Sequence, residues 1–236
     1  MKRNKGAVVI AIDGPSGAGK STVARLLAER LGYLYVDTGA MYRAVALKAK
    51  QAALDLSDER RVESLCRSIK IEFQRDRHGT RILCNGEDVT DEIRRPSMSI
   101  LASEISRVRV VRESLVDLQR EFGQKGGVVL EGRDIGTVVF PEANLKFFLD
   151  AAPQVRGERR YEELKARGEE VDLHGTIKEI EERDANDRTR SLAPLRKAGD
   201  AVLIDTTRLR VDEVVEKMVQ VFRMKVEGAK EPSGRK

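Results

Sequence analysis

Apolar positions in this chain follow two alternating rhythms. Residues 8 to 12, VVIAI, form an unbroken apolar run of the kind buried on both faces of a parallel sheet. From about Lys20 the spacing changes, with Val23, Leu26, Leu27 and Leu31 on one helical stripe and Gly32 placed as a C-terminal stop. YLYVDTG, residues 33 to 39, predicts a second strand, and AMYRAVALKAKQAAL the next helix. GVVLEG at 127 to 132, LKFFLD at 145 to 150 and AVLIDT at 201 to 206 predict three more strands. The last helix carries Val211, Val214, Val215, Met218, Val219 and Phe222, an almost continuous i, i+3, i+4 stripe that packs against a sheet. Strands alternating with helices predict an α/β fold, a three-layer sandwich around a five-stranded parallel sheet.

Two stretches interrupt the rhythm. Residues 69 to 93 alternate with period two, and turn signals at His78 to Gly79 and Asn85 to Gly86 predict a small antiparallel meander inserted beside the sheet. Residues 153 to 174, PQVRGERRYEELKARGEEVDLH, are dense in charge and bounded by Pro153, Gly157 and Gly168. They read either as a solvated helical hairpin or as a mobile lid. No internal repeat or low-complexity tract occurs.

The length of 236 residues suits one core with appendages better than two large domains. No apolar run approaches the roughly 18 residues that cross a bilayer, and Asp13 interrupts the start before a signal-peptide core is complete, so the expectation is a soluble, cytoplasmic protein without a membrane partner. Cys66 and Cys84 lack disulfide or metal spacing and read as reduced thiols. The net charge of +5 sits in the ends, at Lys2, Arg3, Lys5, Lys230, Arg235 and Lys236 less Glu231, which leaves residues 6 to 227 neutral. With no Trp and few aromatics for stacking, a nucleic-acid partner is not expected. The tail from Gly228 has the composition of disorder.

The chemistry begins at GPSGAGKST, residues 14 to 22. Gly14, Gly19, Lys20 and Ser21 match GxxxxGK[ST], and the match lies between a buried strand and a helix, as a P-loop must. Backbone N–H groups of Gly14, Pro15, Ser16, Gly17, Ala18, Gly19, Lys20, Ser21 and Thr22, Pro15 excepted, make a cradle for phosphate oxygens, and the helix adds its positive end. Lys20 is placed to reach β- and γ-phosphates, and Ser21 to ligate Mg²⁺. The guanine-reading [NT]KxD element of GTP switches is absent.

Arginines cluster in three further segments. DTGAMYR, residues 37 to 43, sets Thr38 and Arg43 at the carboxyl end of the second strand, the edge where open α/β sheets bind ligands. EGRDIGT, residues 131 to 137, leaves its strand at the same edge with Arg133 and Asp134. There Glu131 suits an outer-shell carboxylate for Mg²⁺, and Asp134 suits an arginine or a substrate hydroxyl. In ERDANDRTRSLAPL, residues 182 to 195, Arg183, Asp187 and Arg190 recur at i, i+4 and i+7 and are expected on one helix face. That face is either a salt-bridge ladder or a reader of an amino-bearing base, with Asp accepting from the exocyclic amine.

Taken together, GPSGAGKST, DTGAMYR, EGRDIGTVVFP and the RD…DR.R…APL segment resemble the bacterial cytidylate kinases, nucleoside monophosphate kinases of the P-loop fold. The similarity runs from about Ala7 to about Lys225. The resemblance implies transfer of the γ-phosphoryl group of ATP to CMP or dCMP in pyrimidine metabolism, with Mg²⁺, by a monomer. It implies that Ser103, Arg183 and Asp187 read cytosine and Asp134 the sugar. Arg43, Arg133 and Arg190 would hold the acceptor phosphate, with Thr38 and Arg112 completing the CMP set. Lys20, Arg133, Arg156, Arg160 and Arg190 would be catalytic, Arg156, Arg159 and Arg160 swinging over the triphosphate from a lid at about 153–168. Residues at about 69–112 would form the monophosphate-binding insert, about 6–68, 113–152 and 169–226 the core, and about 227–236 a basic tail. Thr38 and Glu131 stand where the family often has Ser and Asp. Because the acceptor oxygen is already ionised, no general base is required, and His78 and His174 are expected on the surface. Alternatives are a P-loop kinase of UMP, AMP or shikimate, a nucleotide-dependent binding switch, or RNA binding through the basic ends.

Overall fold

A computed structural model describes residues 8–76 and 79–228. His78, the first residues of the chain and nearly all of the basic tail lie outside the described residues. Close contacts divide the chain into two compact units, one running through Tyr35 and resuming at Gly123, the other formed by Val36–Phe122.

The first unit is built on the apolar runs. β1 (Val9–Asp13) is buried along its whole length and pairs in parallel with β6 (Val128–Gly132) on one side and β7 (Leu145–Asp150) on the other. β8 (Val202–Asp205) pairs in parallel with β7, and β2 (Leu34–Asp37), through which the division between the units runs, completes a five-stranded parallel sheet in the order β2-β6-β1-β7-β8. β1 thus lies where the strand order switches, the position at which open α/β sheets form a crevice outside the carboxyl ends. α1 (Lys20–Leu31) ends at Gly32 as expected. With α8 (Val211–Phe222) it covers one sheet face: Ile10, Ile12, Val129, Phe147 and Leu149 pack against Val23, Leu27, Val215, Met218 and Phe222. In the α8 stripe Val211 is the exception, 41% exposed at the first position of the helix.

The strand expected over 33 to 39 is shorter. Asp37 accepts a hydrogen bond from the Ala40 N–H at 2.8 Å and so caps α2 (Thr38–Gln51), which takes Thr38 and Gly39 into the helix. α2 opens the second unit. α3 (Glu59–Ser68) follows it, and then an antiparallel sheet of β3 (Ile71–Asp76), β4 (Gly79–Cys84) and β5 (Glu87–Asp88). Asn85 and Gly86 join the last two strands with φ of 53° and 83°, the left-handed pair that a two-residue hairpin requires. α4 (Pro96–Ile105) and α5 (Arg109–Gly123) close this segment.

The charged stretch after β7 is helical: α6 (Pro153–Ala166) and α7 (Leu173–Thr189) pack together, and Gly157 lies so near Ile177 that a Cβ would stand 2.2 Å from its Cγ1. Among the described residues no helix is long and apolar enough to cross a membrane.

Candidate active site

The loop between β1 and α1 is shaped by close approach. A Cβ on Gly14 would stand 2.0 Å from the Leu149 carbonyl oxygen, and one on Gly17 2.6 Å from that of Arg156, so glycine alone fits at both. Gly19, with φ 85°, leads into α1, whose first residue is Lys20, while Ser21 and Thr22 are exposed on the first turn. Lys20 is 6% exposed and its ammonium donates to the Pro15 carbonyl at 2.6 Å. Burial first, and then the positive charges of Arg133 and Arg183, push its pKa down to about 7, against the pull of Glu131 and Asp184. A buried cation so short of counter-charge fits the approach of a polyanion.

The rest of the loop is braced from outside. Ser16 N–H donates to Asp184 Oδ1 at 3.1 Å, Arg156 Nη1 donates to the Ser16 carbonyl at 2.9 Å, and Thr206 Oγ1 donates to that of Ala18 at 3.2 Å.

The loop after β6 brings Arg133 and Asp134 together with Asp187 and Arg190, in crossed pairs. Arg133 donates through Nε to Asp187 at 2.8 Å, and Asp134 lies 3.6 Å from the Arg190 guanidinium. Burial opposes both charges of the first pair. Arg133, Arg183 and Arg190 nevertheless hold Asp187 below the ordinary carboxylate range, and Asp187 holds Arg133 above its ordinary value. One expectation is corrected here: α7 ends at Thr189, and Arg190 is extended, with φ −60° and ψ 141°, so it does not share a helix face with Arg183 and Asp187. It turns back instead, its Nη1 3.7 Å from Asp187 and its Nε donating to the Ala193 carbonyl at 2.7 Å. Glu131, 4% exposed, accepts from the Tyr35 hydroxyl at 2.9 Å.

In the second unit, Thr38 and Arg112 are buried and Arg43 and Ser103 half-buried. Arg43 donates to Asp37 at 3.1 Å, the carboxylate that also caps α2. The Arg112 guanidinium lies over the Tyr42 ring, 5.9 Å from its centre.

The three arginines expected on a lid differ sharply. Arg156 is 3% exposed and bound to Asp184, Arg159 donates to Thr206 Oγ1 and to the Thr206 carbonyl, and Arg160 makes an i, i+3 pair with Glu163 at 2.9 Å.

The family model described as cytidylate kinase matches residues 10–224. The chain belongs to the cytidylate kinase family. It is 56% identical over 214 residues to a cytidylate kinase of Syntrophotalea carbinolica, covering 91% of each chain. It is 48% identical to that of Geobacillus kaustophilus, covering 96% of this chain and all of the other. Among solved structures, an uncharacterized protein from Eubacterium ventriosum aligns with a TM-score of 0.51 at 14% identity, over 93% of this chain and 99% of that one, a likeness of fold alone.

For this member of the cytidylate kinase family, the structure adds residues that motif reading passed over. Asp13, at the end of β1, is buried and accepts from the backbone N–H groups of Ile135 and Gly136 at 2.8 and 2.7 Å, tying the P-loop strand to the turn that carries Arg133 and Asp134. Burial raises its pKa to about 7, against those two hydrogen bonds. Asp37 and Asp184 are the other two. Asp13 and Asp37 each precede a glycine or helix start at a strand end, a signal that was available. Asp184 had none, since its partner Arg156 lies 28 positions away.

Proposed function

We propose that the protein transfers the γ-phosphoryl group of ATP to CMP or dCMP, giving ADP and CDP or dCDP. The observation that carries this reading is a P-loop with a charge-starved Lys20 beside a network in which the half-buried Arg133 and Arg190 meet the buried Asp187 and Asp134, in a chain that belongs to the cytidylate kinase family.

An ionised phosphate oxygen of CMP attacks the γ-phosphorus, the bond to the β,γ-bridging oxygen breaks, and the electron pair leaves on ADP. No proton has to be removed from the nucleophile, so the chain's task is to bring two polyanions together and neutralise the transferring group. Lys20 supplies charge at the β- and γ-phosphates. Arg133 and Arg190 are proposed to hold the acceptor phosphate, with Asp134 at the sugar and Arg183 and Asp187 at the cytosine edge. In the second unit Thr38, Arg43, Ser103 and Arg112 keep the acceptor-binding roles that the resemblance gives them. Of the lid arginines, Arg160 is held by one surface pair, an interaction worth about 0–1 kcal/mol, and is the one proposed to reach the γ-phosphate.

Mg²⁺ fits this donor set only together with the nucleotide. Ser21 is exposed on the first turn of α1, Glu131 and Asp13 are engaged in hydrogen bonds, and among the described residues no group of three acidic, His or Cys side chains could hold a metal alone. Bound with ATP, Mg²⁺ supplies charge neutralisation and alignment of the phosphates, with Ser21 as its protein ligand. The reading includes a monomer that draws on cytoplasmic ATP.

An assay of ADP formation with ATP and Mg²⁺ tests it, with CMP, dCMP, UMP, AMP, shikimate and no acceptor in parallel and CDP identified by chromatography. Turnover on CMP and dCMP far above the other acceptors is expected. Equal turnover without acceptor would make the chain a nucleotide-hydrolysing switch, and preference for AMP or UMP would overturn the account of the acceptor site.

A further inference from the structure

α7 carries Arg183, Asp184 and Asp187 within about one turn, and the Asp184 carboxylate engages the P-loop. Its Oδ1 accepts from the Ser16 N–H at 3.1 Å and its Oδ2 pairs with Arg156 Nη1. Arg156 in turn donates to the Ser16 carbonyl at 2.9 Å through Nη1 and to the Ala151 carbonyl at 2.9 Å through Nε. The Ser16 residue is therefore gripped on both polar groups, N–H by the acid and carbonyl by the base. Both gripping side chains are 4% exposed.

A buried ion pair is a poor way merely to join two helices, because taking both charges out of water offsets most of their attraction and an apolar pair of similar volume serves as well. α6 and α7 already pack through Gly157 against Ile177. What an apolar pair cannot do is satisfy the two backbone groups of Ser16, and two of the four polar contacts described go to them. The main-chain path is fixed at the next residue as well, where Gly17 abuts the Arg156 carbonyl.

We propose that Arg156 and Asp184 are positioning residues that hold the P-loop in its phosphate-binding shape from the base of the lid helices, touching neither substrate. The proposal rests on the reading of the P-loop as the ATP site. It gives Arg156 a different task from Arg160, which lies one turn further along α6 and pairs with Glu163.

The test uses two variants of the full chain. Asp184→Asn removes the charge and leaves Arg156 its two carbonyl partners. Because that single change strands a buried guanidinium, the double variant Arg156→Met with Asp184→Leu removes both charges at similar volume. Affinity for a non-hydrolysable ATP analogue with Mg²⁺ is measured by calorimetry without acceptor, CMP affinity is measured without donor, and thermal unfolding is followed in parallel.

The expected result is a double variant that unfolds within a few degrees of the wild type, binds the analogue roughly ten- to hundredfold more weakly, and binds CMP within about twofold of the wild type. KM for ATP would rise while that for CMP stays. A folded double variant with wild-type analogue affinity, or an equal loss of CMP affinity, would overturn the proposal, as would failure of both variants to fold, which would make the pair a structural staple. A wild-type protein that binds the analogue but does not phosphorylate CMP would sink the proposed function instead and leave the variants' analogue affinities to decide the clamp.

Discussion

The loops after β1 and after β6 leave adjacent strands of one sheet, and they are built from different material. The P-loop, residues 14 to 22, offers main-chain N–H groups, and its shape depends on glycines where a Cβ would collide with Leu149 and Arg156. The 131 to 137 loop offers side chains, and its shape depends on which arginine meets which aspartate. A backbone cradle is written into consecutive residues. A charge network is written into residues more than 50 positions apart, such as Arg133 and Asp187, and only the fold decides the partners. The difference also sets how each loop responds to substitution, since a cradle loses function when its one cation goes and a network loses stability when a partner goes.

The sharpest break of that contrast is at Lys20. Lys20→Met should lower kcat by roughly 10²–10³-fold, the scale of removing one preorganised charge-stabilising donor, while thermal stability stays level or rises, because a buried ammonium whose only described hydrogen bond is to the Pro15 carbonyl is removed. A collapse in stability with little change in turnover of the folded fraction would show that the lysine holds the loop rather than the phosphate.

Asp187→Asn tests the other side. It removes the charge that holds Arg133, leaving a guanidinium whose side chain is only 17% exposed. A loss of about 3 kcal/mol is expected, at the low end for a broken buried pair because Glu131 and Asp184 remain near Arg133. Urea unfolding measures it. Asp134→Asn, which loosens the longer contact to Arg190, should cost less. Equal losses would deny the crossed pairing.

The same contrast explains what was legible in the sequence. The five parallel strands, α1 with its Gly32 stop and the 69 to 93 meander followed from periodicity and turn residues, because each depends on neighbours in sequence. The strand expected over 33 to 39 runs too long because Thr38 and Gly39 look like a strand end until the Asp37 carboxylate is seen capping α2. Helical spacing places Arg190 on a helix face, but α7 ends one residue earlier and Arg190 reaches Asp134 and Asp187 from an extended segment. The P-loop and the segments carrying Arg133, Asp134, Arg183 and Asp187 were found from motifs. Asp13, Asp184 and the burial of Arg156 were not, because each answers to a partner far away in the chain.

Glycine substitutions separate conformation from contact within the P-loop. Gly19→Ala meets open space and bears only the left-handed φ of 85°, a cost of about 1 kcal/mol. Gly17→Ala bears a φ of 72° and also a Cβ 2.6 Å from the Arg156 carbonyl, and should cost about 1–3 kcal/mol more. Equal costs, measured by chemical unfolding, would mean that the bracing from α6 yields easily and that the cradle does not depend on it.

The smallest expected effect is a fraction of a proton. Burial holds the folded pKa of Lys20 at about 7, below the 10.5 of an exposed lysine. Between those values the folded chain binds fewer protons than the unfolded one, so this residue's contribution to stability is full above 10.5 and is lost as pH falls through 7. A bound triphosphate reverses the balance by giving the ammonium its counter-charge, which raises the pKa and draws a proton in. Calorimetric binding of the ATP analogue in buffers of different ionisation enthalpy should therefore show uptake of about half a proton at pH 7, growing toward one above pH 8 and vanishing below pH 6. Lys20→Met should abolish that uptake, whereas Asp187→Asn should leave it in place, because the network loop lowers the Lys20 pKa through Arg133 and not through Asp187. Uptake that survives in Lys20→Met would assign the proton to Asp13, the other group of the P-loop strand with a pKa near 7, and would move the electrostatic centre of the cradle from its lysine to the carboxylate that ties it to the loop after β6.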